Sequence, residues 1–197
     1  MYENKIITEP KWKSWIVQTT TPLFTPDQCN QIIASGRAQK PQQAQVGMNK
    51  PEGGTDTKKR VTTISWIPFQ EMGHMYQDLN TFIQKANENH FGFGDIQVTE
   101  QAQFTEYPEG GFYDWHMDCD VNMGHEPPVR KISMTLLLND PSEFEGGDLE
   151  LMAPGKFANL KQGHAICFAS FLNHRVNPVT RGMRQSLVVW FGGKAFR

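Results

Sequence analysis

Three side chains have the types and the order to hold a metal ion. His116 and Asp118 stand two residues apart at what reads as a strand end, where alternation sends both to one face. His174, several strands further along, is the third. Two imidazoles and one carboxylate on one side of a metal form a facial triad and leave three coordination positions open for reactive ligands. Zinc could use the same donors, but no HExxH helix or other paired general base accompanies them, so iron is favoured. A calcium loop is not supported, because Asp118-Cys-Asp-Val-Asn-Met-Gly124 has its glycine one position late and no glutamate at the twelfth place.

Arg184 opens a strand that leads into the apolar run Leu187 to Phe191. A guanidinium facing inward beside a metal needs an anion, since an unpaired buried charge is costly and the planar fork matches a carboxylate. Ser186 shares its strand face and can add a hydroxyl donor. The alternative for Arg184 is a plain ion pair with a surface carboxylate. His74, His90, His125 and His164 read as solvent-facing or locally satisfied, and Trp115, alternating away from His116, reads as core packing. No phosphate-binding glycine loop or nucleophile elbow competes with this constellation.

The elements that must position these groups are legible in outline. A chain of 197 residues suits one domain over 1–197, with 1–95 as a helical and strand support and 96–197 as the core that carries the site. Hydrophobic residues at 38% and charged residues at 20% exclude a disordered or fibrous chain. Nineteen basic and twenty-one acidic residues create no global field, so neither nucleic acid nor a membrane surface is an expected partner. No apolar stretch approaches the ~20 residues of a bilayer span and Met1-Tyr-Glu-Asn-Lys5 is no hydrophobic signal, so a cytoplasmic protein is expected. Cys29, Cys119 and Cys167, odd in number and far apart, read as reduced thiols.

Thr25-Pro-Asp-Gln28 has the form of a capping box with proline at the first helical position, and Gly36 is expected to end that helix. Residues 39–59 read as a loop, with a substrate cover as one use for it. Val61 to Ile67 is a β-branched strand, and Met72, Met75, Tyr76, Leu79, Phe82, Ile83 and Ala86 repeat at helical spacing, marking a helix that covers a sheet. After Gly94 the chain is a succession of short strands between turn residues. That order predicts a mainly β sandwich or jelly roll with N-terminal helices packed on one sheet.

From about Phe104 to Phe191 the chain resembles the Fe(II)/2-oxoglutarate-dependent oxygenases, most of all the prolyl 4-hydroxylase-like (PKHD-type) hydroxylases of bacteria and phage. The resemblance is carried in order by Tyr107, Gly110-Gly111, His116-Met-Asp118, Arg130, Ser133 to Asn139, Gly146-Gly-Asp-Leu-Glu150, Lys161-Gln-Gly-His164, His174, and Pro178-Val-Thr-Arg-Gly-Met-Arg184. It implies a double-stranded β-helix (a jelly roll, cupin-like), with Fe(II) held by His116, Asp118 and His174 as the catalytic centre. It also implies 2-oxoglutarate as co-substrate with its distal carboxylate on Arg184, a co-substrate contact from Tyr107, dioxygen, and ascorbate as an optional cofactor. The implied reaction hydroxylates a C–H bond, on a prolyl residue of a peptide or protein, with release of succinate and carbon dioxide. Two departures bear on this. Arg184 stands where collagen-type members commonly carry lysine, so a collagen-like substrate is not implied. Leu137 stands where oxygen-sensing members have a tyrosine on the distal carboxylate, which leaves Ser186 or Thr135 as substitute donors. A small-molecule substrate, or a metal-binding jelly roll without turnover, are the competing readings.

Overall fold

The computed structural model describes residues 14–43, 59–119, 128–151, 156–158 and 160–194. Along the chain run β1 (Ile16–Gln18), α1 (Pro26–Ala38), β2 (Gln42–Gln43), β3 (Arg60–Val61), β4 (Thr63–Ile67) and α2 (Gly73–Ala86), which continues as a π-helical turn (Asn87–Phe91). Then come β5 (Gln97–Val98), β6 (Ala102–Tyr107), β7 (Phe112–His116), β8 (Val129–Leu137), β9 (Phe144–Gly146) and β10 (Leu149–Leu151). The last strands are β11 (Lys156–Ala158), β12 (Ala165–Ala169), β13 (His174–Val176), β14 (Val179–Gly182) and β15 (Arg184–Gly193). A major antiparallel sheet has the order β1-β12-β8-β15-β6-β4-β2, with β5 on the end of β15, and a minor sheet has the order β11-β10-β13-β7-β3. Neighbours in the sheets are distant in sequence, as in the mainly β jelly roll expected from the sequence.

Alternation decides what each strand of the major sheet shows to either side. On β8, Ile132, Met134, Leu136 and Leu138 join the core beneath the helices, and on β15 Leu187, Val189 and Phe191 do the same. Cys29, Ile32 and Ile33 of α1 and Met75, Tyr76, Leu79 and Ile83 of α2 complete that core. The opposite parity faces the minor sheet, where Tyr107, Leu137, Ile166 and Phe168 meet Leu149, Leu151 and Val176. Helices thus cover one face of the major sheet, and the minor sheet covers the other.

The capping box forms as written: Thr25 N–H donates to Gln28 Oε1 at 2.9 Å, and Gln28 N–H donates to Thr25 Oγ1 at 3.3 Å. Gly36, however, does not end the helix, which runs on to Ala38. Its lack of a side chain serves packing instead, because a Cβ there would lie inside contact distance of the Phe104 ring. The strand expected over Val61 to Ile67 is broken at Thr62, where the chain leaves β3 in the minor sheet and enters β4 in the major one. Thr62 Oγ1 donates to the carbonyl of Glu106 at 2.8 Å and fixes the crossing. Trp115 is not core: it lies half-exposed on the outer face of the minor sheet, with the Arg175 guanidinium 4.8 Å from its ring. No helix covers that face, so a large ring there is covered by a charged stem rather than by the interior. Among the described residues no helix is long and apolar enough to cross a membrane. Residues 44–58, most of the expected substrate cover, lie outside the described residues, as do His125 and positions 120–124 of the calcium-like run.

Gly36→Ala sets two effects against each other. Alanine gains about 1 kcal/mol of helix propensity over glycine, whereas overpacking a core costs about 1–3 kcal/mol. The contact with Phe104 is with the ring and its Cβ in a fully packed core, so overpacking wins. The variant is expected to unfold at lower urea concentration than the unsubstituted protein, with the slope of the transition unchanged.

Candidate metal and anion site

Two local devices bring the triad together. His174 of β13 pairs with His116 of β7, while Val176 pairs with Tyr113, so three residue steps on β7 oppose two on β13. That extra residue is a β-bulge, and it turns Tyr113 onto the same face as His116. The rings stack with centroids 3.5 Å apart. Asp118 lies beyond the end of β7, not on it, so strand alternation is not what aims its side chain. The turn is instead tied to the end of β12: Asp118 N–H and Cys119 N–H both donate to the Ser170 carbonyl, at 3.0 and 2.9 Å.

The donor atoms of His116, Asp118 and His174 all lie within 4.8 Å of one another. His116 Nε2 is 3.7 Å from Asp118 Oδ1, and His174 Nε2 is 3.5 Å from Asp118 Oδ2. Each imidazole has its other nitrogen on a backbone carbonyl, His116 Nδ1 on Asp114 at 2.8 Å and His174 Nδ1 on Leu172 at 3.0 Å. A carbonyl only accepts, so Nδ1 carries the proton in both rings and both Nε2 lone pairs turn inward. Burial first, and the neighbouring His174 second, lower the pKa of His116 to about 4, which keeps it a neutral donor. Burial pushes the Asp118 carboxyl up, but His174, His116 and the Ser133 hydroxyl outweigh it and hold it below the usual carboxylate range. Ser133 Oγ is in turn 2.9 Å from Ser170 Oγ. Trp190 Nε1, buried without a hydrogen-bond partner, sits near enough to add to that depression while falling short of a bond. Two imidazoles with their Nε2 atoms turned inward and one carboxylate suit Fe(II) or another divalent ion of similar coordination.

The second half of the site is a polar strip across the major sheet. Arg184 pairs with Tyr107 across β15 and β6, and its guanidinium lies 5.6 Å from the Tyr107 ring. Arg184 is 3% exposed and makes no ion pair among the described residues. Its one side-chain partner is neutral, Nη1 donating to Ser186 Oγ at 2.9 Å. Ser186 lies further along the strand, so the guanidinium folds back along β15. Burial lowers the Arg184 pKa, with Tyr107 and Asp148 acting in opposition. Gly147, at φ +68°, closes over this side chain, and a Cβ there would sit 2.8 Å from Arg184 Cδ. A cavity of about 210 Å³ flanks the guanidinium between Leu137, Leu149, Leu160 and Asp148; the triad does not line it.

Of the two donors expected to replace a tyrosine, Ser186 is the one bonded to Arg184. Thr135 faces the same interior but lies midway between Leu137 and Ser133, with no hydrogen-bond partner among the described residues. The four residue steps from Leu137 to Ser133 span roughly 13 Å of strand, the run that separates the Arg184 end from the Asp118 end. Sequence reasoning missed Ser133, Trp190 and Tyr113. Parity with Thr135 and with Arg184 could have found Ser133 and Trp190; nothing local announces the bulge that turns Tyr113. His164 bonds instead to the Thr19 carbonyl at 3.1 Å, outside the triad.

Residues 102–192, somewhat under half of the chain, match the model of the 2OG-Fe(II) oxygenase superfamily. Relatives include PKHD-type hydroxylases of Colwellia psychrerythraea, 34% identical over 72% of this chain and 64% of the relative, and of Teredinibacter turnerae, 36% identical over 56% and 52%. The chain thus spans about half to two thirds of the length of these curated relatives. Its fold is that of a prolyl-4-hydroxylase from Pseudomonas putida, with a TM-score of 0.69 at 21% identity over 91% of this chain and 93% of that one. A viral collagen prolyl hydroxylase from Paramecium bursaria Chlorella virus-1 gives a TM-score of 0.71 at 17% identity, over 91% and 97%. The superfamily whose model matches is named for Fe(II) and 2-oxoglutarate. The donor set and the anion-free Arg184 fit both.

The depressed His116 pKa has a consequence for the metal-free protein. An unfolded chain protonates this imidazole near pH 6.5, while the folded one does so only at about 4, so protons favour unfolding between the two. Stability from this group is therefore full above about pH 6.5 and is lost as pH falls toward 4. The difference in Tm between the chelator-treated protein and His116→Gln, which cannot titrate there, is expected to shift against the unsubstituted protein across that window.

Proposed function

We propose that this protein is an Fe(II)- and 2-oxoglutarate-dependent dioxygenase that hydroxylates a prolyl residue of a peptide or protein, releasing succinate and carbon dioxide. The observation that carries the reading is Arg184: a buried guanidinium with no carboxylate bound to it among the described residues, on the interior side of the major sheet that faces the minor sheet. A structural arginine in that position would be expected to have an acidic partner, because the cost of an unpaired buried charge is several kcal/mol. A dicarboxylate co-substrate supplies the missing charge.

In this reading His116, Asp118 and His174 hold the metal. When bound, Fe(II) supplies the activation of dioxygen and the oxidation that couples 2-oxoglutarate decarboxylation to attack on a C–H bond. The chain does the rest. The backbone carbonyls of Asp114 and Leu172 orient the two imidazoles, and Ser133, with Ser170 behind it, keeps Asp118 ionised. Arg184 and Ser186 take the distal carboxylate, and Tyr107 and Leu137 set the width of the slot between Arg184 and the metal. Thr135 offers an unused hydroxyl along that slot. The rings of Tyr113, stacked on His116, and Trp190, beside Asp118, give the metal end aromatic surface on which a prolyl ring can pack. The PKHD-type names of the relatives support the same class of reaction.

Anaerobic addition of Fe(II) and then 2-oxoglutarate is expected to produce a weak visible band. Asp118→Ala is expected to lose metal binding and all succinate formation. Arg184→Ala should keep its affinity for Fe(II) while the KM for 2-oxoglutarate rises roughly 10- to 100-fold, the loss of one charge-assisted interaction. Unchanged 2-oxoglutarate affinity in that variant would remove the co-substrate role of Arg184, and a prolyl peptide panel yielding no hydroxyproline would remove the prolyl substrate.

A further inference from the structure

Six arginines lie among the described residues, and their partners divide them. Arg37, Arg130, Arg175 and Arg181 pair with Glu106, Glu100, Glu150 and Glu145 at 2.6–3.0 Å. Among the described residues Arg60 and Arg184 pair with no carboxylate, and each lies beside part of the site. Arg184 is taken up by the co-substrate reading; Arg60 is not.

Arg60 stands in β3, in register with Tyr113 of β7, and its guanidinium lies 4.3 Å from the Tyr113 ring centroid. The other side of that contact chain is the metal site, since Tyr113 stacks on His116. Among the described residues its one hydrogen bond runs from Nη2 to the Gln103 amide oxygen at 3.0 Å, which spans from the minor to the major sheet, and its buried Nε finds no acceptor. A half-buried cation satisfied only by a neutral amide and a ring face is as incomplete as Arg184. A neutral carbonyl would occupy one donor but leave the charge unbalanced, whereas a carboxylate answers both.

We propose that Arg60 is the docking group for a carboxylate of the primary substrate, placed close to the carbon presented to the metal. This rests on the oxygenase reading of the site and adds a substrate class to it: a prolyl substrate that is acidic near the reacting ring. The carboxylate can come from an Asp or Glu side chain next to the proline or from a C-terminal proline itself.

The test is calorimetric titration of the Mn(II)-loaded protein, saturated with 2-oxoglutarate under nitrogen, with matched peptides. One pair carries Asp or Asn beside the proline, and the other ends in free proline or its amide. The charged member of at least one pair is expected to bind about tenfold more tightly than its neutral partner, a difference that narrows at high salt, and the pair that shows it identifies the source. In Arg60→Gln the preference disappears, while 2-oxoglutarate affinity and the Fe(II)-dependent visible band stay as in the unsubstituted protein. Arg60→Lys, which keeps the charge and loses the fork, should retain part of it. Equal binding of charged and neutral members, absence of binding by all four, or a preference that survives Arg60→Gln would each overturn the proposal and leave the co-substrate reading standing. Loss of the visible band in the unsubstituted protein would instead strike that earlier reading.

Discussion

Two hydrogen bonds to main-chain carbonyls govern this site. By taking the Nδ1 protons of His116 and His174, the carbonyls of Asp114 and Leu172 leave each ring a single free lone pair and a single direction for it. Those carbonyls stand where they do because of the bulge in β7 and the turn before β13. The geometry of the triad is thus written into the backbone rather than into side-chain packing, and it exists before any ion arrives. Asp118 completes the set under the same logic, with its own N–H held by Ser170 and its carboxylate served by Ser133.

The interior between the sheets tolerates this polarity because each charged group is matched to a partner of limited kind. Asp118 stands beside two imidazoles and a hydroxyl, a set that a divalent ion would complete. Arg184 is held by a hydroxyl and an aromatic face, a set that an anion would complete. Between the two runs a surface of Leu137, Thr135 and Ser133, neither wholly apolar nor charged. Such an arrangement costs folding stability when empty and recovers it on binding, as linkage requires of any ligand that prefers the native state.

Much of this was legible beforehand because local signals and the final contacts agree. The capping box at Thr25 and Gln28, the helical period from Met72 to Ala86 and the alternating parity of β8 and β15 each follow from short-range chemistry. The triad and Arg184 were visible as residue types in an order, and the fold brings the three ligands together. What sequence could not show depends on register. Whether Tyr113 or Trp115 shares a face with His116 is decided by one extra residue opposite β13, and strict alternation chooses neither correctly for Tyr113 nor for the burial of Trp115. Gly36 misled for a related reason: its role is set by Phe104, far away in the chain, and not by helix termination.

The single-residue step at Thr62 joins the minor sheet to the major one beside Arg60, with its hydroxyl bolted to β6. Two layers stitched so tightly along one border cannot spread apart there like the covers of a book. The hydrogen bond from Arg60 to Gln103 clasps the same border, so that edge of the interior is a fixed rim rather than a hinge.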